Sequence, residues 1–322
     1  MSKTKRRALR HAGRWACAAM LLLAMAACQR DAVDAALPPA EPVAAVQAMA
    51  RAIADNDLVA YARLSVPPAQ YTALDQAWSQ GHSRWPLTEL PLHDQLLPML
   101  QALAADDGSQ RLQRSFDQQL AGQTAAVRQA AQSMGLFGVQ YLRHETSFTA
   151  SQQAHYVQVV QTLAAWAADA PISDRARARA SIAALTKAAS ATGFTDDAQL
   201  QQAGMAASLE RLGPFIATLK SVLASYGLDL DASMRGIAGE VLSRQGDNAL
   251  VRLQYPLAGE MITLQIPLTR REGHWYLTRT LADTDALLRN ARTAQAAVEA
   301  ESAAPIALPV ETGGDEKPAA TP

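Results

Sequence analysis

The chain has 322 residues, 49% of them hydrophobic, with 29 basic and 30 acidic side chains and a formal net charge of −1. Six of the basic residues (Lys3, Lys5, Arg6, Arg7, Arg10 and Arg14) crowd the first 28 positions, and taking them from the 29 leaves 23 against 30 acidic residues, a net charge of −7 for the rest. A body of that sign excludes nucleic acid and anionic lipid as general partners, and its length suffices to bury a large core without covalent staples.

The basic head runs into an uncharged stretch from Trp15 to Ala27. Crossing a bilayer core takes about 20 apolar residues, and this run is shorter, so residues 1–27 are expected to be a secretory signal peptide rather than a permanent span. The run ends in Met25-Ala26-Ala27-Cys28, which resembles the lipobox of bacterial lipoproteins, with Met25 where Leu is usual. That resemblance implies lipidation of Cys28 by palmitate-type acyl chains, with Cys28 as the mature N-terminus. Gln29 stands where an inner-membrane lipoprotein would carry Asp, which implies the periplasmic face of the outer membrane. Two or more acyl chains would anchor stably where one gives marginal binding. Ala24-Met25-Ala26 also fits an ordinary signal-peptidase site, and a soluble periplasmic protein is the alternative. Cys17 and Cys28 are the two cysteines of the chain, so the body is expected to hold no disulfide.

Residues 28–42, with Pro38, Pro39 and Pro42, are expected to form a flexible tether of about 20 Å. Val43, Val46, Met49, Ala50 and Ile53 then recur at helical spacing, and Asp55-Asn56-Asp57 stops that helix and caps a short one over Leu58–Leu64. Pro67-Pro68 opens the next helix, containing Tyr71, Leu74 and Trp78. A loop spans Gly81–Pro91. Leu92, Leu96, Leu100 and Leu103 trace a further stripe, kinked or restarted at Pro98. From Gln110 to Tyr226 the chain is dense in Ala, Gln and Leu, with turns near 146–149, 169–173 and 193–197, a composition for helix-on-helix packing. Val157, Val160, Leu163 and Ala167 form a stripe there, and Ser173 is expected as an N-cap. The row Met205, Leu209, Leu212, Ile216, Leu219, Leu223 crosses Gly213-Pro214 and predicts two helices sharing a face.

At Gly236 the period falls from 3.6 to 2. Ile237–Leu242, then Val251, Leu253 and Tyr255, then Ile262, Leu264, Ile266 and Leu268, then Trp275 and Leu277 predict an antiparallel meander with one buried face. Turns are expected at Gly246-Asp247-Asn248 and Arg270–Gly273, and Pro267 marks an edge or a strand end. A helix from Thr284 to about Ala300 and a disordered tail over 301–322 complete the chain. The fold class is therefore α+β, mostly α: a multi-helix Ala-rich bundle over 43–235, packed with a small C-terminal antiparallel meander of three to four strands and a terminal helix over 236–300.

The early helix closing on Asp55-Asn56-Asp57-Leu58-Val59-Ala60-Tyr61, with late strands closing on Gly273-His274-Trp275-Tyr276-Leu277, resembles lipoproteins of the nuclear-transport-factor-two-like superfamily. The resemblance covers residues 43–78 and 237–281 and implies helices packed on a curved sheet. The long helical stretch between departs from that pattern, and no site residue is carried over.

No metal, cofactor or catalytic site is expected. The five histidines after the signal (His82, His93, His144, His155, His274) show no i, i+4 pairing, and no Gly-x-Ser-x-Gly elbow occurs. Asp106-Asp107 suits a helix-ending turn better than a hydrolytic pair. Six residues remain as candidates for a binding surface. Glu240 would lie on a half-buried sheet, Trp78 and Trp85 would line a groove together with Trp166, and Arg175 and Arg179 share a helix face from which Arg177 diverges. For each, the competing reading is a core aromatic or a solvated charge. The expected function is a binding or structural role in the cell envelope, with the membrane engaged through the lipid anchor and an envelope protein or polymer as partner. The alternatives are a periplasmic hydrolase of an envelope polymer and a carrier of an apolar ligand.

Overall fold

In a computed structural model of the chain, residues 37–90 and 93–303 are described. The stretch expected to be a signal peptide, Cys28, the expected tether up to residue 36, Pro91, Leu92 and the residues beyond 303 lie outside them. Among the described residues the class is α+β and mostly α, with twelve α-helices and one four-stranded antiparallel sheet.

Helix α1 (Pro42–Ala54) starts on a proline, whose missing N–H falls among the unpaired donors of a first turn. Its apolar stripe, Ala45, Val46, Met49 and Ala52, buries against Ala249, Val251, Leu253, Leu268 and Trp275 of the sheet. Asp57 caps α2 (Leu58–Ser65) by accepting from the Ala60 amide. α3 (Pro68–Ser79) follows, then a single 3₁₀ turn at Leu87–Glu89 inside the expected loop. α4 (His93–Ala104) carries Pro98 without breaking, and α5 (Gly108–Gln119), α6 (Thr124–His144), α7 (Ala150–Asp169), α8 (Arg175–Thr192) and α9 (Asp197–Ala203) complete the bundle. The main core gathers Trp78, Trp85, Leu100, Phe194, Leu209 and Phe215 from five parts of the chain.

Four expectations are corrected. The row through Gly213-Pro214 is one continuous helix, α10 (Met205–Ser225), instead of two. An interior proline costs about 3 kcal/mol, but Leu209 and Leu212 before it and Phe215 after it fill one core. Gly213 also admits the Asn56 carbonyl, which would stand 2.7 Å from a Cβ there. Ser173 is not the cap of α8: Asp174 is, accepting from the Arg177 amide at 2.8 Å, while the Ser173 hydroxyl bonds that of Thr124. The terminal helix, α12 (Thr278–Ala303), begins six residues earlier than expected and reaches into the expected tail, because strand β4 passes into it without a loop. Arg270 and Arg271 belong to a strand, and the turn there is Glu272-Gly273 alone.

The meander runs β1 (Ala238–Gln245), β2 (Asn248–Leu257), β3 (Glu260–Arg271) and β4 (His274–Leu277), paired in that order. Every connection is a two-residue hairpin. Ala258-Gly259 and Glu272-Gly273 both hold positive φ at each position, the turn whose twist matches that of the strands. β4 ends at Leu277 opposite Leu268. Pro267 shares parity with Thr269 and Arg271, so its missing donor falls on the side where β4 has run out. There α7 takes over, with Gln158 Oε1 accepting from the Thr263 amide at 3.1 Å.

The end of α1 is fixed by Lys220 of α10, whose side chain is 6% exposed. Its ammonium donates to the Ile53 and Ala54 carbonyls and pairs with Asp231 of α11 (Leu230–Arg235). Nearby Arg235 bonds Asp55 in solvent. Replacing Lys220 by Met takes the buried ammonium from the Ile53 and Ala54 carbonyls and leaves the Asp231 carboxylate without its ion-pair partner, and is expected to lower the unfolding free energy by about 3 kcal/mol in a urea titration. Arg235→Ala is expected to cost less than about 1 kcal/mol. Equal losses would contradict this account.

Candidate interaction surface

The residues singled out from sequence do not converge. Trp78 is wholly buried with its indole donating to the Leu200 carbonyl, and Trp85 is 2% exposed with its indole on Glu89 Oε1. Both are core residues and present no face to a partner. Glu240 lies on the outward face of β1, where Arg252 donates to it at 2.6 Å beside a shallow recess of about 310 Å³. Arg175 is exposed and paired with Asp117 at 3.5 Å, and Arg179 is exposed further along α8, so the two form no pocket. Cys28 is outside the described residues. Asp107 precedes α5 and pairs with Arg111, in keeping with a turn.

Among the described residues no three His, Cys, Asp or Glu side chains converge to hold a metal ion. The recess near the end of α1 holds Asp55, Asp57 and Glu210. Asp55 is committed to Arg235 and Asp57 to its helix cap. His155 of α7 and Tyr255 of β2 are hydrogen-bonded at 2.9 Å in a half-buried junction. Burial there pushes the imidazole below its usual 6.5 and the phenol above its usual value, so both groups are held neutral.

The largest of these recesses, about 630 Å³, runs between α6 and α7. It exists because the two helices approach closely. A Cβ on Gly135 would stand 2.5 Å from that of Ala164, and one on Gly138 would stand 3.0 Å from Val160 Cγ1. Arg128 and Arg143 of α6 both turn towards α7. Arg128 donates to the Ala168 carbonyl and pairs with Asp169, and Arg143 borders the recess.

α6 makes no comparable contact with any other described element, although a face beside its α7 contact is apolar. Met134 is 74% exposed, Phe137 73% and Tyr141 59%, with Leu136 (72%) at the rim of the recess. No charged residue occurs from Gln129 to Leu142. Exposed large side chains grouped on one helix face mark an interaction surface. Inspection of the sequence for chemistry passes over these residues, since none is titratable at neutral pH. The available signal is the spacing of Val127, Ala130, Met134, Phe137 and Tyr141, three and four residues apart by turns.

Compared with known proteins, the chain matches no protein-family model, no curated protein and no solved structure.

Two outcomes follow from this geometry. Gly135→Ala gains about 1 kcal/mol of helix propensity but forces α6 from α7, and a net loss of about 1 kcal/mol is expected by thermal or urea unfolding. In an Ala164→Gly background the nearest remaining atom is 4.0 Å away, and the same substitution should stabilise. Second, an imidazole held below 6.5 binds its proton less readily than in the unfolded chain. The stability that His155 supplies is therefore complete above that value and is lost as pH falls below it. His155→Gln should flatten the pH dependence of unfolding below about pH 6.5, whereas an unchanged slope would assign it elsewhere.

Proposed function

We propose that this is a lipoprotein of the bacterial cell envelope, held through Cys28 at the periplasmic face of the outer membrane, with a binding or structural role towards another envelope component. The observation that carries the binding role is the uncharged, solvent-facing row Met134, Phe137 and Tyr141 on a helix supported from one side. A water-facing helix normally carries charged and polar residues on its outer face, and this one departs from that rule where a partner would sit. The anchor is supported by the basic head, the short apolar run and Met25-Ala26-Ala27-Cys28. The placement of α1 across the inner face of the meander supports a relationship to the nuclear-transport-factor-two-like lipoproteins, with the helices between as an elaboration.

The anchor is tested by fractionating cells that express the chain or its Cys28→Ala form. The parent is expected in the outer-membrane fraction, with incorporation of labelled palmitate. The variant should be unlabelled and no longer held in the membrane. Recovery of both forms in the soluble periplasm would overturn the anchoring.

A further inference from the structure

α6 carries two seams. One, through Arg128, Ala131, Gly135, Gly138 and Leu142, lies on the side of α7. The other, Val127, Ala130, Met134, Phe137 and Tyr141, is displaced from it by one residue and has the same alternation of three and four, the repeat by which one helix packs along another. Its three largest members are exposed.

We propose that the occupant of this second seam is the α6 of a second copy of the chain, packed antiparallel about a twofold axis at Met134. The distribution of side-chain size points to this partner. The seam is small in its first half, Val127 and Ala130, and large in its second, Phe137 and Tyr141. Reversing one copy against the other sets Phe137 over the partner's Ala130 and Tyr141 over the partner's Val127, and Met134 meets its own mate on the axis. A parallel arrangement would stack large on large and leave the small half hollow, against the density of packed interiors.

Charge and area agree. The seam spans 15 residues, about 21 Å of helix, and between Arg128 and Arg143 there is no charge to repel a second copy. Met134, Phe137 and Tyr141 expose on the order of 400 Å². With the atoms between them, two copies would bury roughly 1,200 Å², the lower end of specific interfaces. A lipid surface fits less well. Helices that lie on membranes set Lys and Arg around the apolar face, whereas Arg128 and Arg143 are turned towards α7. The inference does not depend on the lipid anchor.

The test is sedimentation of the purified full-length protein from low to high micromolar concentration, in nonionic detergent so that acyl chains do not associate. The parent is expected to pass from monomer to dimer as concentration rises. Met134→Glu and Met134→Lys, each placing like charges together on the axis, should be monomeric throughout with unchanged circular dichroism. An equimolar mixture of the two should dimerise again, because the axis then holds opposite charges. A monomeric parent, or dimers of both variants as stable as the parent's, would overturn the proposal. So would a monomeric parent that binds phosphatidylcholine vesicles and loses that binding in Met134→Glu, which would assign the seam to membrane.

Discussion

A buried ammonium joins the two parts of this fold. The last carbonyls of a helix have no partner within it and gather the negative end of the helix dipole. α1 brings that end into the interior, where an unserved carbonyl costs about 1–3 kcal/mol. Lys220 answers two of them from α10 and is itself compensated by Asp231 on α11. The contact lets α1 act in two places, since its flank is the floor of the sheet core while its end is a node of the helical body. The strands that follow α11 are set from the same helix, with Gln47 in the middle of α1 donating to the Ile237 carbonyl just before β1.

The sheet shows how a small meander ends itself. β4 is too short to cover β3, and the uncovered part is met by a helix: Gln158 serves a backbone donor, Pro267 removes one, and Tyr255 and Ile262 join a small core with Val159, Leu163 and Trp166. β1, exposed along its whole length, is handled differently. Its pairing slips at Leu242, and Glu240 and Arg244 add charge near that break. Irregularity and charge are common means of keeping an open edge from adding strands.

Much of this was legible in the residues, for identifiable reasons. Helix starts marked by Asp57 and by Pro67-Pro68 are local chemistry, and the structure keeps them. The change of period at Gly236 located the sheet because alternation depends on one face being buried. The failures are tertiary. Pro214 would break an isolated helix, and the shared core overrides it. Thr284, expected to open the last helix, is buried inside it and bonded back to Thr280. Trp78 and Trp85 could not be sorted into groove or core from sequence, because burial is decided by α8, α9 and α10 far along the chain. The face of α6 is hidden in the sequence for a related reason. Periodicity reveals that a helix has apolar sides without giving the number of partners the chain itself provides.

The chain enters the described fold beside the last hairpin, where the Pro38 carbonyl lies 2.6 Å from His274 Nδ1. His274 pairs with Arg271 at one end of β3, while α7 is attached near Thr263 towards the other. Eight residues of strand, about 27 Å, separate the two points. β3 thus works as a strut. Whatever holds the chain upstream of Pro38 is kept a strand's length from the point where the α6–α7 arm is attached, so load borne at one end and contact made at the other need not interfere.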